Sequence, residues 1–172
     1  LRKAGVKLPI MVLNPEVTSF DSIINFNLEP QIYSFRIFKA FADELLKRGL
    51  KDYPIHIKLD TGMHRLGFVE EEIPELLDFI KSNKCFKISS VFSHLAASEN
   101  DLHQAYTTQQ IAIYNRCVAL IKSVLDYPFI KHIANTSAIT KWPNAQFDMV
   151  RLGIGLYGIE SNQLERAHLQ HV

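Results

Sequence analysis

Short apolar runs of strand length alternate along the chain with longer stretches in which apolar residues recur at helical spacing. Three helices are predicted by this spacing, over residues 35–50, 70–83 and 107–125. Six strands are predicted, over residues 9–13, 31–34, 55–60, 88–94, 130–135 and 149–151. Strands that alternate with helices favour the α/β class with a parallel sheet.

Composition narrows the functional classes. The chain has 172 residues, of which 47% are hydrophobic and 22% charged, so it can bury a sizeable core. A net charge of +1 does not favour nucleic acid or an anionic membrane as a partner. Cys85 and Cys117 lie far from any other metal-binding residue pattern, so buried reduced thiols are predicted and no metal site. No signal peptide opens the sequence, and a cytoplasmic location is expected.

Charged residues collect where the strand over residues 55–60 ends. Apolar and polar residues alternate along this strand, and residues 60–62 are typical of a turn that stops it. Lys58, Asp60 and Arg65 therefore crowd around one carboxyl end, the end at which α/β proteins build sites. Two interpretations remain: a polar or anionic ligand binds there, or Asp60 caps a turn beside solvated surface charges.

The string from Lys58 to Phe68, Lys-x-Asp-Thr-Gly-Met-x-Arg-Leu-Gly-Phe, closely resembles the signature of the alanine racemase family. Two further segments resemble that family in the same order. They are Phe-Ser-His-Leu-Ala-Ala-Ser over residues 92–98, and His-Ile-Ala-Asn-Thr-Ser over residues 132–137 followed by Phe-Asp-Met-Val-Arg-Leu-Gly-Ile-Gly-Leu-Tyr-Gly over residues 147–158. The resemblance runs from near Leu1 to about Glu160.

Alanine racemases use pyridoxal 5'-phosphate (PLP), and their N-terminal domain is a (β/α)8 TIM barrel. The resemblance thus implies a partial barrel of about six βα units over residues 1–158, equivalent to barrel strands three to eight. A closed barrel typically takes about 250 residues, so the chain is expected to be a fragment. Residues 159–172 are polar and are expected to link to a C-terminal β domain. Residues 1–5 resemble the end of a helix capped by glycine.

The resemblance implies a phosphate site in the loops after barrel strands seven and eight. The matching residues are Asn135, Thr136, Gly153 and Ile154. Thr136 stands where the family more often has serine, and it keeps the hydroxyl donor. Gly153 allows close backbone approach and offers an N–H together with Ile154. Residues 135–137 are equally typical of a turn that caps the next helix.

Arg151 matches the arginine that faces the pyridine nitrogen of PLP in this family. Because a guanidinium does not readily give up a proton, it would donate a hydrogen bond to an unprotonated nitrogen. The ring is then a weaker electron sink, which favours return of the proton to Cα over transamination. The alternative is that Arg151 pairs with a carboxylate at a barrel end.

Three other residues have supporting roles by the same resemblance. His94 matches a histidine that packs by the ring and hydrogen-bonds the strand-eight arginine. Arg65 matches the arginine near the phenolic oxygen of the cofactor and the substrate carboxylate. Lys58 matches a lysine that is carbamylated in some family members and then orients that arginine. Asp60 and Thr61 are expected to hold the turn instead.

The family's two proton-transferring bases are missing from these 172 residues. One is a Schiff-base lysine in an Ala-Val-Val-Lys-Ala-like string on the first barrel strand, and the other is a tyrosine from the partner subunit's C-terminal domain. The resemblance therefore implies an isomerase that interconverts L- and D-alanine for peptidoglycan and the cell wall, as a homodimer. The fragment by itself is expected to be inactive.

Several alternatives stay open at this point. A serine racemase or a D-threonine aldolase-like enzyme could share the barrel, and a non-catalytic PLP-binding barrel or a structural module without ligand are further hypotheses. The residues that carry the resemblance do not decide between alanine and other small amino acids. They do not decide whether Lys58 is carbamylated or whether a further domain is fused to the protein.

Overall fold

Five parallel strands form one open sheet, and their order in space is their order along the chain. The computed structural model of the protein describes residues 1–159. The strands are β1 (Met11–Val12), β2 (Glu29–Ile32), β3 (Tyr53–Lys58), β4 (Phe86–Phe92) and β5 (Ile130–His132). The predicted α/β class with a parallel sheet is confirmed. Because all five strands run in one direction, their carboxyl ends meet at one edge of the sheet.

Helices connect the strands. They are α1 (Phe20–Asn25), α2 (Phe35–Lys47), α3 (Ile73–Ser82), α4 (Gln104–Lys122) and α5 (Thr136–Lys141). The three predicted helices are α2, α3 and α4, although α4 begins three residues earlier than predicted and the first predicted turn of α3 is a 3-10 turn, Glu70–Glu72. The short helices α1 and α5 were not predicted, because six residues show too little periodicity.

Aromatic side chains pack α2 and α3 against the amino ends of the central strands. The ring of Phe38, which is fully buried, lies 4.6 Å from that of Phe79 and 4.7 Å from that of Phe86, the first residue of β4. Phe41 packs edge-on against Tyr53, the first residue of β3, at 5.5 Å. Such pairs add to the large apolar area that each ring buries. These ring contacts therefore fix α2 and α3 against the amino ends of β3 and β4.

The predicted sixth strand over residues 149–151 is wrong. This segment lies beside β5, and the N–H of Arg151 donates to the carbonyl of Ala134 at 3.0 Å. At the other end of the segment, the N–H of Lys131 is taken by the side-chain carboxylate of Asp148 at 2.8 Å. Because a side chain replaces the backbone acceptor, the ladder does not extend. The described chain thus has five strands, with β1 and β5 at the edges.

The register between β3 and β4 shifts by one residue near the middle of the strands. Ile55 is paired with Ile88, but the next residue, His56, is paired with Ser90. A bulge of this kind turns the following side chains of one strand to a new face. The shift sets Ser90 beside His56 in the sheet.

Other predictions made from the sequence can be compared with the structure. Gly5 ends a 3-10 turn, Arg2–Ala4, in the left-handed conformation. Cys85 and Cys117 are buried free thiols, as predicted. The predicted linker over residues 159–172 lies outside the described residues from residue 160 onward. Across residues 1–159, no helix is both long enough and apolar enough to span a membrane.

Gly67 provides a test of the turn after β3. Its φ is +128°, and a Cβ placed on it would lie 2.6 Å from the backbone nitrogen of Asp60 and the carbonyl carbon of Leu59. Gly49 also has a positive φ, +64°, but its Cβ would meet nothing within 4 Å. We expect Gly49→Ala to lower the free energy of unfolding by about 1–2 kcal/mol, the ordinary cost of the left-handed conformation.

Gly67→Ala should cost clearly more, because backbone atoms of the strand end must also move. Urea unfolding of both variants measures the difference. Equal losses would show that the contact between residue 67 and the end of β3 carries no additional strain.

Candidate functional site

A cavity of about 520 Å³ opens at the carboxyl edge of the sheet. This volume is in the range of small-molecule sites. The structure brings the candidate cofactor-binding and supporting residues to this cavity, whereas Asp60 does not line it. Its lining includes Lys58, Arg65, His94, Asn135, Thr136, Arg151, Gly153 and Ile154. Lys58, Arg65, His94, Asn135 and Thr136 converge because they lie at or after the ends of parallel strands, and the segment with Arg151 joins them because its backbone bonds to Ala134 after β5.

The lining of this cavity is strongly cationic. Lys58, Arg65 and Arg151 all face it, and among the described residues no aspartate or glutamate does. Concave surfaces lined by one sign of charge concentrate ligands of the opposite sign. The cavity is therefore suited to an anionic small molecule, in agreement with the first interpretation of the charged strand end.

The turn after β3 is held as expected. One carboxylate oxygen of Asp60 accepts hydrogen bonds from the N–H groups of Gly62, at 2.9 Å, and His64, at 3.0 Å. The hydroxyl of Thr61, which is buried, contacts that of Ser93 on the neighbouring segment at 2.9 Å. These two residues position the turn that carries Arg65.

Lys58 is the last residue of β3, and its side chain is buried. Its Nζ lies 4.8 Å from the centre of the Phe92 ring, a favourable position for a cation over an aromatic face. Burial lowers the pKa of Lys58 from 10.5 to about 7, with help from Arg151 and Arg65 and against the opposing effect of Asp60. A substantial share of this amine is therefore neutral, and nucleophilic, at neutral pH.

Arg151 is clamped by several acceptors at the floor of the cavity. Its Nη2 donates to the carbonyl oxygens of Ser93, at 2.7 Å, and Ile133, at 3.0 Å. Its Nη1 donates to Nδ1 of His132 at 2.8 Å, and Nη2 lies 3.3 Å from Nδ1 of His94. Burial lowers the pKa of Arg151 to about 10, so it remains a cation at neutral pH. Within residues 1–159 its Nε–H has no acceptor, and the residue lines the cavity.

Both histidines beside Arg151 are neutral. Burial lowers the pKa of His94 to about 4 and that of His132 to about 3, and in each case the Arg151 charge acts in the same direction. Because a guanidinium only donates, the Nδ1 of each ring is the accepting nitrogen. The expected contact between His94 and the arginine is present. His132 was missed, although a histidine that ends a buried strand was a signal that could have found it.

Asn135 and Thr136 lie at the opposite side of the cavity from β3. The hydroxyl oxygen of Thr136 accepts from the N–H groups of Gly153, at 2.9 Å, and Gly155, at 3.3 Å. It thus joins the loop after β5 to the loop after Arg151. The side-chain oxygen of Asn135 accepts from the N–H of Ala138 at 3.1 Å and caps α5. The capping interpretation therefore holds for Asn135, while Thr136 still has a proton to donate.

The lowered pKa of Lys58 can be tested by pH titration. Between pH 7 and 10.5 the unfolded chain carries a proton on Lys58 that the folded chain lacks, so the contribution of Lys58 to the free energy of unfolding should rise with pH in this window. Lys58→Met should abolish this rise, and ¹⁵N NMR of the amine should give a midpoint near 7. Lys39→Met, at an exposed lysine, is the matched control. An amine that titrates near 10.5 would contradict the burial argument.

Comparison with known proteins gives a consistent answer. Residues 1–161 match the family model of the alanine racemase N-terminal domain. The alanine racemase of Synechocystis sp. is 35% identical over 164 residues, which cover 92% of this chain and 43% of the relative. That of Carboxydothermus hydrogenoformans is 34% identical over 162 residues, covering 92% and 42%. The chain thus spans less than half the length of these curated relatives.

Solved structures agree with the sequence relatives. An alanine racemase of Clostridium difficile 630 superposes with a TM-score of 0.87 at 26% identity, over 99% of this chain and 45% of that one. The alanine racemase of Acinetobacter baumannii superposes with a TM-score of 0.81 at 26% identity, over 99% and 47%. The open parallel sheet is accordingly part of a barrel, as the sequence implied. The chain belongs to the alanine racemase N-terminal domain family.

Proposed function

We propose that this chain is the cofactor-holding part of a PLP-dependent alanine racemase, an isomerase that interconverts L- and D-alanine. The observation that carries the proposal is the state of Arg151. Its two Nη groups are committed to protein acceptors, its Nε–H has no acceptor within residues 1–159, and the residue lines a cationic cavity of small-molecule size. A buried donor that cannot lose its proton is what an unprotonated ring nitrogen requires.

The residues that line the cavity fit PLP. The phosphate needs donors, and the Thr136 hydroxyl and the backbone N–H of Ile154 would supply them. The N–H of Gly153, which the sequence also suggested as a donor, is instead donated to the hydroxyl oxygen of Thr136. Arg65 and Lys58 add positive charge without any carboxylate nearby in the lining. When bound, PLP supplies the electron-withdrawing ring that weakens the bond from Cα to hydrogen in an amino acid.

Arg151 would determine which reaction follows. Because its pKa stays near 10, Arg151 would keep its protons and donate a hydrogen bond to the ring nitrogen of PLP. A donor at this position would leave the ring a weaker electron sink, which would favour return of the proton to Cα. His94 remains neutral beside it and accepts from Arg151 without adding charge. This arrangement favours racemisation over transamination.

The proposed substrate and setting follow from the family. Because the relatives are named alanine racemase, we propose alanine as the substrate and not serine or a threonine derivative. We further propose that the whole protein acts as a cytoplasmic homodimer, that D-alanine serves peptidoglycan synthesis, and that the two proton-transferring bases come from sequence other than these 172 residues. Carbamylation of Lys58 by CO₂ belongs to the same proposal, since its amine is partly neutral at pH 7.

Thr136 tests the phosphate position. Thr136→Val keeps the shape of the side chain but removes the hydroxyl, and it should weaken PLP binding by about tenfold, as expected for one hydrogen bond to a charged group. Thr136→Ser should bind within about twofold of the original protein. Titration calorimetry with PLP and with pyridoxal, which lacks the phosphate, measures the effect. If pyridoxal binding fell as much as PLP binding, Thr136 would not contact the phosphate.

The chain by itself should neither racemise alanine nor form a covalent bond to PLP in the cavity. The only lysine that lines the cavity is Lys58 among the described residues, and it ends a strand with its Nζ over Phe92. After incubation with PLP and L-alanine, borohydride reduction and peptide mass spectrometry should find no adduct at Lys58, and chiral chromatography should find no D-alanine. D-alanine from this chain alone would contradict the assignment of both bases elsewhere.

Arg151→Glu tests the choice of reaction in an active protein, in which this chain is joined to segments that carry the two bases. A carboxylate beside the ring nitrogen would hold it protonated, so pyruvate should increase relative to D-alanine. Arg116→Glu reverses a charge on the outer face of α4 and is the matched control. An unchanged ratio of pyruvate to D-alanine in Arg151→Glu would show that its role is wrong.

A further inference from the structure

A continuous line of hydrogen bonds crosses the sheet from Arg151 to Glu29. Nη1 of Arg151 lies 2.8 Å from Nδ1 of His132, whose Nε2 lies 3.0 Å from Oγ of Ser90. The same Oγ lies 2.7 Å from Nδ1 of His56, whose Nε2 lies 2.9 Å from Oε2 of Glu29. Every distance is that of a normal hydrogen bond. We call these five residues the Glu29 line.

The parallel sheet builds this line from one residue per strand. Glu29 starts β2, His56 lies in β3, Ser90 in β4 and His132 ends β5. The register shift after Ile55 is what pairs His56 with Ser90. Ser90 and His132 are almost fully buried, and the side chain of Glu29 is 15% exposed. Buried polar groups at neighbouring positions of four strands form a network that water does not replace.

The chemistry of the two ends gives the line one direction. Arg151 can only donate, so Nδ1 of His132 accepts and the proton of this ring is on Nε2. Nε2–H donates to Ser90, and the hydroxyl proton of Ser90 goes to Nδ1 of His56. The proton of His56 is then on Nε2 and is donated to Glu29, whose carboxylate can only accept. With both rings neutral, the two ends require the same tautomer in His56 and His132.

Charge also connects the two ends. The acceptors that Arg151 contacts within residues 1–159 are carbonyl oxygens and neutral imidazole nitrogens. A buried cation is stable only when charge or hydrogen bonds compensate its lost hydration. The carboxylate of Glu29 is the anion that the hydrogen bonds of Arg151 reach, through polarised groups of which each donates toward it.

We propose that Glu29 is a positioning residue for Arg151, which fixes the direction of the Glu29 line and acts as the distant counter-charge of the guanidinium. With His132 held as an acceptor, Nη1 stays engaged and Nε–H keeps its orientation at the cavity. The effect of this orientation on a bound cofactor rests on the proposed function. The order of donors and acceptors in the Glu29 line is independent of that function.

The tautomers can be observed without any cofactor. In this chain labelled with ¹⁵N-histidine, long-range ¹H–¹⁵N NMR should show His56 and His132 with protonated Nε2 and unprotonated Nδ1. Glu29→Leu removes the acceptor, so His56 should become a mixture of tautomers and the His132 nitrogens should shift. Glu29→Gln keeps an acceptor oxygen, so His56 should retain its Nε2 proton.

Glu44→Leu is the matched control, because Glu44 is also a partly buried carboxylate, and it pairs with Arg48 outside the line. In this variant the ring nitrogen signals of His56 and His132 should match those of the original protein, and circular dichroism should show that all variants are folded. A proton on Nδ1 of either ring in the original protein would overturn the proposal. So would equal ring nitrogen shifts in Glu29→Leu and Glu44→Leu, or unchanged signals in Glu29→Leu.

An activity measurement separates this proposal from the proposed function. This measurement uses the active protein in which the chain is joined to the segments that carry the two bases. There, Glu29→Leu should lower kcat by about tenfold and leave KM for alanine unchanged, because a tilted Arg151 would affect the cofactor ring and not substrate binding. The kcat of Glu29→Gln should lie between that of the original protein and that of Glu29→Leu. If racemisation occurs but the tautomers differ, the Glu29 line is wrong and the function stands. If the tautomers are found without racemisation, the function is wrong and the line stands.

Discussion

A buried guanidinium is the constraint on which the site depends. Arg151 cannot lose its proton readily, and out of water it must be surrounded by acceptors. The carbonyls of Ser93 and Ile133, which follow the ends of β4 and β5, supply them. The same contacts hold the segment after residue 148 against the sheet. Within residues 1–159 this segment makes only two backbone hydrogen bonds beside β5, from the N–H groups of Asp148 and Arg151, and these are too few to form a strand. The Arg151 side chain therefore both lines the cavity and connects the segments that follow β4 and β5.

Much of the fold could be predicted from the sequence, because its signals are local. The apolar stripe of α2 and the alternation along β3 are each set by neighbouring residues, and both elements are found nearly as predicted. The presence of Lys58 and His94 at one cavity followed from a single rule, since each comes at or after the end of a parallel strand. Arg151 also lines the cavity, although the strand predicted for its segment is absent. Their chemical roles remain proposals.

Other features depend on register, which local patterns do not encode. The segment over residues 149–151 has the composition of a strand, but the carboxylate of Asp148 replaces a backbone acceptor at its start. His56 and Ser90 meet only because the pairing shifts after Ile55, so no spacing in the sequence indicates their contact. Asn135 had two possible roles, and the capping of α5 was decided by how the loop folds.

The cavity combines groups with opposite tendencies in a small volume. Three cations face it, and each lowers the cost of binding an anion while raising the cost of keeping its neighbours charged. The sheet resolves this differently for each group. Lys58 has a pKa near 7 and can become neutral, whereas Arg151 has a pKa near 10 and stays charged, with backbone carbonyls as acceptors of its hydrogen bonds. One of the three cations can therefore change its charge in response to what binds, and Arg151 remains a fixed donor.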